Sequence, residues 1–482
     1  MTPGSITASA PDICRLGAGA LAKAIRHRHV SVAEVMGAYL DHIDRVNPTY
    51  NAIISLRPRD VLIAEAREAD TALARGEGRG ALFGIPQAIK DLANTKGLRT
   101  TYGSPLFADF VPEVDTVIVE RARRAGAIII GKTNTPEFGL GSNTYNPVHG
   151  ITRNAYDPGR IAGGSSGGSA VALALRLLPV ADGSDMGGSL RNPAAFNNVF
   201  GFRPSQGRVP YAPTLDGFFG QLGTEGPMAR SVDDLALLLS VQAGYDARAP
   251  LSLDDPGYRF EERLQRDPKG LRIAWGGDLG GHLAIEPGIL DLCRSALDIL
   301  AGLGCEVAQA LPRFDFERLW QAFSVLRQFG LIGKLGPIFE DPARRAKLKP
   351  EAQWEVERAL KLSAIDVQRA GDARMAWYHA LLALFEDHDF LALPTAQVFP
   401  FSVDQHWPKA IGDRRMDSYH RWMEVVAGAT MAGCPAISVP VGFGPEGQPM
   451  GMQLIGRPRA DLAVLQLARA YEEACPWVAI AP

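Results

Sequence analysis

GGSSGGSAVALALRLLPVADGSDMGGSLR, residues 163–191, sets two glycine–serine clusters on either side of an apolar run. Glycine lets the main chain approach another atom closely and enter dihedrals closed to other residues. A doubled cluster of this kind points to phosphate cradling, to display of a nucleophile, or to a pocket of bare amides for a developing oxyanion. Between the clusters, AVALALRLL predicts a helix of about ten residues, ~15 Å long, and VADGSD returns the chain, so that the two loops can meet at one end of a sheet. Ser165 from the first cluster and Ser189 from the second would then meet. DMGGS would offer consecutive amides around a serine, unobstructed by side chains at Gly187 and Gly188.

Outward from this stretch, helical and strand periods alternate. Ser31 and Glu34 form a capping box, in which the serine oxygen accepts from an orphan amide and the glutamate reaches back. Val35, Leu40, Ile43 and Val46 then recur at helical spacing until Asn47-Pro48, which predicts the stop. A second amphipathic stretch runs over 61–73. LFGIPQAIKDL (82–92) reads as a strand, DTVIVERARRAG (115–126) as a helix with a glycine stop, and AIIIGKT (127–133) as a buried strand. Later, 286–304 reads as a helix, with Pro287 at a first helical position, leading into the strand CEVAQA. The helix 373–389 leads into FLALPT, and ISVPVGF pairs with GMQLIGRP before a closing helix over 462–473. Such alternation predicts an α/β fold, a mixed twisted sheet covered on both faces by helices. At 482 residues, one large domain or two are compatible with the length. With no linker-like segment and no internal repeat, a single domain over 1–482 is expected, carrying a helical elaboration at about 250–425.

Composition removes several function classes. The chain is 46% apolar and 21% charged, with a net charge of −3 and its lysines and arginines scattered, so it has no electrostatic footprint for nucleic acid. Its five cysteines, Cys14, Cys293, Cys305, Cys434 and Cys475, are far apart and form no metal-ligand pair, which reads as buried thiols in a reducing compartment. The first residues, read as a short leader, lack a basic stretch followed by a clean apolar one, so no signal peptide is expected. The most apolar helix candidate, 170–180, falls far short of the ~20 residues a bilayer crossing requires, and Arg176 interrupts it. A soluble, cytoplasmic protein is expected.

Two familiar patterns compete for the small residues. GAIIIGKT (126–133) satisfies the phosphate-loop pattern, but Ala-Ile-Ile-Ile belongs inside a strand, and Asn134-Thr-Pro136 follows where a helix would have to start. Lys132 therefore reads as a strand-end lysine. GGSSG (163–167) satisfies G-x-S-x-G, the nucleophile elbow, but that elbow follows directly on a buried strand, and here TRNAYDPGRIA precedes it. His282, His379, His388, His406 and His420 also lack any local pattern that would mark a triad partner.

FGIPQAIKD, TTYGS, GKTNTPEF, GGSSGGS and GSDMGGSLR, taken in this order, resemble the amidase signature family, hydrolases that use a Ser-cisSer-Lys triad. GFRPSQGRV, LALPTA, GCPAISVPVGF and GMQLIGRP carry the resemblance toward the C-terminus, and it is weakest over 250–390. It implies that Lys90 is the base, that Ser165, after a cis peptide bond with Gly164, relays the proton, and that Ser189 is the nucleophile. The amides of Met186, Gly187, Gly188 and Ser189 would form the oxyanion hole. Asp185 and Arg191 would give structural support, while Gly139 and Ser166 fall at the substrate side, Ser166 with an additional supporting hydrogen bond. Ala162 and Gln87 depart from the residues usual at their positions, which puts the local shape around the cis bond and the lysine in question. For the lysine to act as a base it must be desolvated, since a free amine titrates near 10.4.

The function expected is hydrolysis of small carboxamides or anilides through an acyl-enzyme, with esterase side activity. No cofactor, metal, nucleic acid or membrane is involved, and homodimer formation is left open. Trp320, Phe323, Trp377, Tyr378, Trp407 and Trp422 are the candidate pocket aromatics. Two alternatives stand beside this reading: the glutaminase subunit of a tRNA-dependent amidotransferase, and an inactive hydrolase fold used for binding.

Overall fold

Two β-sheets meet around the helix Gly167–Ala174 in the computed structural model, which describes residues 13–482. The short N-terminal leader read from the sequence lies outside the described residues. The smaller sheet comprises β1 (Ile53–Ile54), β2 (Pro86–Lys90) and β3 (Ile128–Thr133), in the order β1-β3-β2. β2 and β3 run parallel, with Ile89 opposite Lys132 and Lys90 opposite Thr133. Every residue of both strands is buried, which accounts for their continuous apolar reading. A short ribbon of β4 (Tyr145–Asn146) and β5 (Gly150–Ile151) follows.

The larger sheet takes its strands from the rest of the chain. They are β6 (Val180–Asp185), β7 (Phe200–Arg203), β8 (Thr224–Ala229), β9 (Arg272–Trp275), β10 (Glu306–Gln309) and β11 (Phe390–Pro394). After a second ribbon of β12 (Ala410–Ile411) and β13 (Arg414–Arg415), β14 (Ala436–Phe443) and β15 (Pro449–Gly456) complete it. The order is β10-β9-β11-β15-β14-β7-β8-β6. β10, β9 and β11 run parallel, and the remaining neighbours are antiparallel, so the sheet is mixed as the alternation predicts. The strands read at 82–92 and 127–133, however, form the separate small sheet, whose β2 packs against the edge strand β6.

The buried helix Gly167–Ala174 exists because its residues are small. Gly168 lies so close to the Asn134 backbone that a Cβ would come within 2.3 Å of the Asn134 amide nitrogen. The helix therefore lies flush against both sheets and carries the first glycine–serine cluster at its N-terminus. Around this core, the Ser31–Glu34 capping box starts the helix Val32–Tyr50. That helix continues past Pro48 for part of a turn and ends at Asn51 in the left-handed region, where Asn is tolerated. Pro287 precedes the cap residue Gly288 rather than opening the helix Ile289–Gly302.

The helical elaboration is narrower than the stretch read for it. β9, β10 and β11 of that stretch belong to the main sheet, and the added helices are Phe316–Phe339, Pro342–Arg345, Pro350–Ala359 and Ala364–Asp387. Their apolar faces build a second core with Trp320, Phe323 and Trp377 at its centre. Among the described residues, no helix is long and apolar enough to cross a membrane.

Candidate active site

Lys90 is the last residue of β2 and is 1% exposed. Its Nζ lies 2.7 Å from Ser165 Oγ, 2.8 Å from Ser166 Oγ and 3.0 Å from Ser184 Oγ. Its own main-chain N–H donates to the Asp182 carboxylate at 3.1 Å, which ties β2 to β6. The neighbouring Asp91 is turned away, accepting from the Thr101 amide and hydroxyl, as alternation along a strand requires. Burial pushes the Lys90 amine down to about 7, against the pull of Asp182, Asp185 and Glu225. A neutral amine has two N–H donors and one lone pair, so among three hydroxyls it donates to two and accepts from one. That single accepting position is what a base requires.

The first glycine–serine cluster is clamped before it reaches the lysine. Ser142 donates to Gly164 O at 2.7 Å and Thr144 to Gly163 O at 2.8 Å. The Gly164–Ser165 peptide is cis, the geometry implied by the family resemblance. A Cβ on Gly164 would stand 3.0 Å from Thr144 Oγ1 and 3.1 Å from Asn143 N, so the glycine allows this close approach. The second cluster joins the first through the Ser166 amide, which donates to Ser189 O at 3.2 Å. Ser189 is 8% exposed, and among the described residues its hydroxyl has no hydrogen-bond partner, Ser165 included. The lysine-to-serine link is formed, whereas no hydrogen bond joins the two serine hydroxyls.

Asp185 ends β6 and anchors the loop that carries Ser189. Its carboxylate accepts from Arg191 Nε at 2.9 Å and Nη2 at 3.0 Å, from Arg203 Nη1 at 3.3 Å, and from the Gly188 amide at 2.9 Å. Burial alone would raise this carboxyl, but the two guanidinium groups hold it well below the usual carboxylate range. Arg191 extends the network to Gln453 Oε1 at 2.6 Å and Val426 O at 3.1 Å. This geometry corrects one expectation, because the Gly188 amide is spent on Asp185 and is not available to an oxyanion. The amides of Met186, Gly187 and Ser189 have no acceptor among the described residues.

Side chains from distant segments approach these loops. A Cβ on Gly187 would lie 3.5 Å from Phe323 Cζ and 3.6 Å from Met423 Cε, which places these side chains beside the nucleophile loop. Gly139, at φ +72°, faces Ser165, where a Cβ would stand 3.5 Å from Ser165 Oγ and 2.7 Å from Leu92 Cδ1. Ser166 is fully buried with its hydroxyl on Lys90, so it serves the lysine rather than a substrate. Arg327, paired with Glu355 at 2.7 Å, donates to Met186 Sδ at 3.4 Å. Of the other aromatics, Trp320 and Trp377 line a separate apolar cavity and Trp422 packs in the core against Phe401. Trp407 stacks under Lys409.

The rival motifs have other roles. Lys132 donates to Ala93 O at 2.6 Å and Thr95 Oγ1 at 2.9 Å from within β3. His420 is buried among Trp320, Trp354 and Tyr419, where burial pushes it down to about 3. Sequence reasoning missed Ser184, Asp182, Arg203 and Glu225. The parity of VADGSD could have found two of them, since Asp182 and Ser184 share one face of β6.

Comparison with known proteins agrees with the fold. The chain is 34% identical to an acylamidase of Rhodococcus erythropolis, covering 96% of each protein. It is also 34% identical to a glutamyl-tRNA(Gln) amidotransferase subunit of Thermosynechococcus vestitus, over 93% of this chain and 95% of that protein. Among solved structures, a bacterial aryl acylamidase superposes with a TM-score of 0.89 at 27% identity, covering 98% of this chain and 96% of that one. The corresponding glutamyl-tRNA(Gln) amidotransferase subunit of Thermotoga maritima superposes with a TM-score of 0.76 at 26% identity, over 99% and 96%. Because the Amidase family model matches residues 34–465, from the first capped helix to the last, the chain belongs to the amidase signature family.

Proposed function

We propose that this protein hydrolyses the C–N bond of small carboxamides or anilides with Ser189 as nucleophile, Ser165 as proton relay and Lys90 as base. The observation that carries the reading is the buried lysine amine, held by three serine hydroxyls and near 7 rather than near its ordinary value. Neutral Lys90 takes the Ser165 hydroxyl proton while Ser165 takes that of Ser189, and Ser189 Oγ forms a bond to the amide carbon. Main-chain N–H groups of Met186, Gly187 and Ser189 are the free donors for the resulting oxyanion. As the C–N bond breaks, the amine leaves with a proton from Ser165, which recovers one from the Lys90 ammonium. Water then attacks the acyl ester through the same relay, releasing acid and restoring the serine. Gly139, whose backbone borders Ser165, walls the acyl side.

The free amidase is favoured over an amidotransferase component because the fold superposes better on the aryl acylamidase than on the amidotransferase chain. The five free and buried thiols support a cytoplasmic setting. Assay of purified protein on amides, anilides, esters and glutamine tests the reading. Ser189→Ala is expected to lower turnover of every substrate on the order of 10⁵-fold. Undiminished turnover by this variant would remove Ser189 as nucleophile, and glutamine as the sole substrate would favour the amidotransferase role.

A further inference from the structure

Glu225 is a buried acid that the mechanism above does not use. It sits on β8 directly opposite Ser184 of β6, and paired residues of antiparallel strands share a sheet face. Ser184 Oγ is 3.0 Å from Lys90 Nζ, so the Glu225 side chain enters the lysine's compartment. Glu225 is 4% exposed, its Oε2 has no hydrogen-bond partner, and no cation bridges to it among the described residues. An ionised carboxylate without partners in such a place is expensive, and the group takes up a proton instead.

We propose that Lys90 and Glu225 hold one proton between them and that it rests on the carboxyl, making Glu225 a positioning residue that leaves the amine free to act as base. Lys90–NH₂ with Glu225–COOH and Lys90–NH₃⁺ with Glu225–COO⁻ carry the same net charge, and only the first tautomer is active. After Ser189 has attacked, the ammonium faces a neutral acid, which does not hold back the proton owed to the leaving amine. The inference rests on Lys90 as base. Besides Lys90 on β2, the titratable groups around Glu225 are Asp182 on β6, Lys132 on β3 and the neutral Tyr211 from the loop after β7. Thr224 and Asp185 face each other on the opposite side of the sheet, where Asp185 also binds Arg203. The helix Gly167–Ala174 brings no titratable side chain, and on the helix Val232–Gln242 Asp234 binds the Gly19 amide and Asp233 binds Arg469. In support, burial pushes Glu225 up to about 8, with Asp182 adding to the rise.

The experiment is the pH dependence of kcat/KM on an anilide for the parent, Glu225→Gln and Lys90→Ala. Glutamine mimics the neutral acid and abolishes the inactive tautomer. Because the proton already rests on the carboxyl, the acidic limb is expected to stay within about 0.2 pH units of the parent's, with kcat on the plateau within about threefold. Glu225→Met, also uncharged, gives the same reading should glutamine prevent folding. A limb that falls by about one pH unit or more, as loss of a carboxylate facing the ammonium would give, or a folded Gln or Met variant inactive at every pH, overturns the inference while Lys90→Ala remains inactive. Activity surviving in Lys90→Ala would instead overturn the reading of the base itself.

Discussion

At the scale of single residues, the protein's chemistry depends on what one amine is allowed to touch. Only the neutral form of Lys90 accepts a proton, and burial holds it near 7, so kcat/KM is expected to rise as pH increases through about 7 and then level. A pH–rate profile with no acidic limb in that region would contradict the assignment. Ser184 sharpens the test. An ammonium donates to all three hydroxyls, whereas the neutral amine donates to two, so deleting one hydroxyl penalises the charged form more. Hydrogen bonds to charged groups exceed neutral ones by about 1 kcal/mol, so Ser184→Ala should move the acidic limb down by about half to one pH unit. A limb that moves upward would show that Ser184 donates to the lysine rather than accepting from it.

At the scale of elements, the nucleophile loop is fixed where β6 ends and the helix Arg191–Phe196 begins. Asp185 holds both guanidinium groups and the Gly188 amide in a site that excludes water, so removing its charge leaves Arg191 and Arg203 buried and uncompensated. Asp185→Asn is expected to cost about 3–5 kcal/mol in a denaturant titration at neutral pH. The folded carboxyl lies below its unfolded value near 3.9, so this contribution is present above about pH 4 and disappears as acid reaches the folded value. The difference between parent and variant should therefore shrink below pH 4, and a constant difference would refute the linkage. The elements themselves were largely legible: β3 and the capped helix Val32–Tyr50 have strong local signals. Their partnership was less so, because nothing local in AIIIGKT says whether it joins the large sheet or forms a small one. The two serine clusters were legible through their glycines, while Glu225 and Arg203 were not. Their significance comes from cross-strand register, which no stretch of sequence carries alone.

At the scale of the whole molecule, the proposed catalytic groups and the apolar side chains beside them come from different parts of the chain. Lys90 ends β2, Ser165 lies just before the helix Gly167–Ala174 and Ser189 lies on the loop after β6, all within the first half of the sequence. Phe323 lies on the helix Phe316–Phe339, and Met423 on the short turn Arg421–Val426 after the added helices. Both approach Gly187 without any hydrogen bond to the triad, so the walls can change while the relay remains intact. Substrate choice is thus expected to follow the helical elaboration and to vary independently of mechanism. Phe323→Ala tests this separation. Losing the ring removes apolar contact with a bulky anilide but little from a small aliphatic amide, and such a contact is worth about 1–3 kcal/mol of discrimination. The ratio of kcat/KM for anilide over aliphatic amide should fall on the order of tenfold or more, with the acidic limb near pH 7 unmoved. A shifted limb would mean that the ring supports the relay, and an unchanged ratio would put the specificity wall elsewhere.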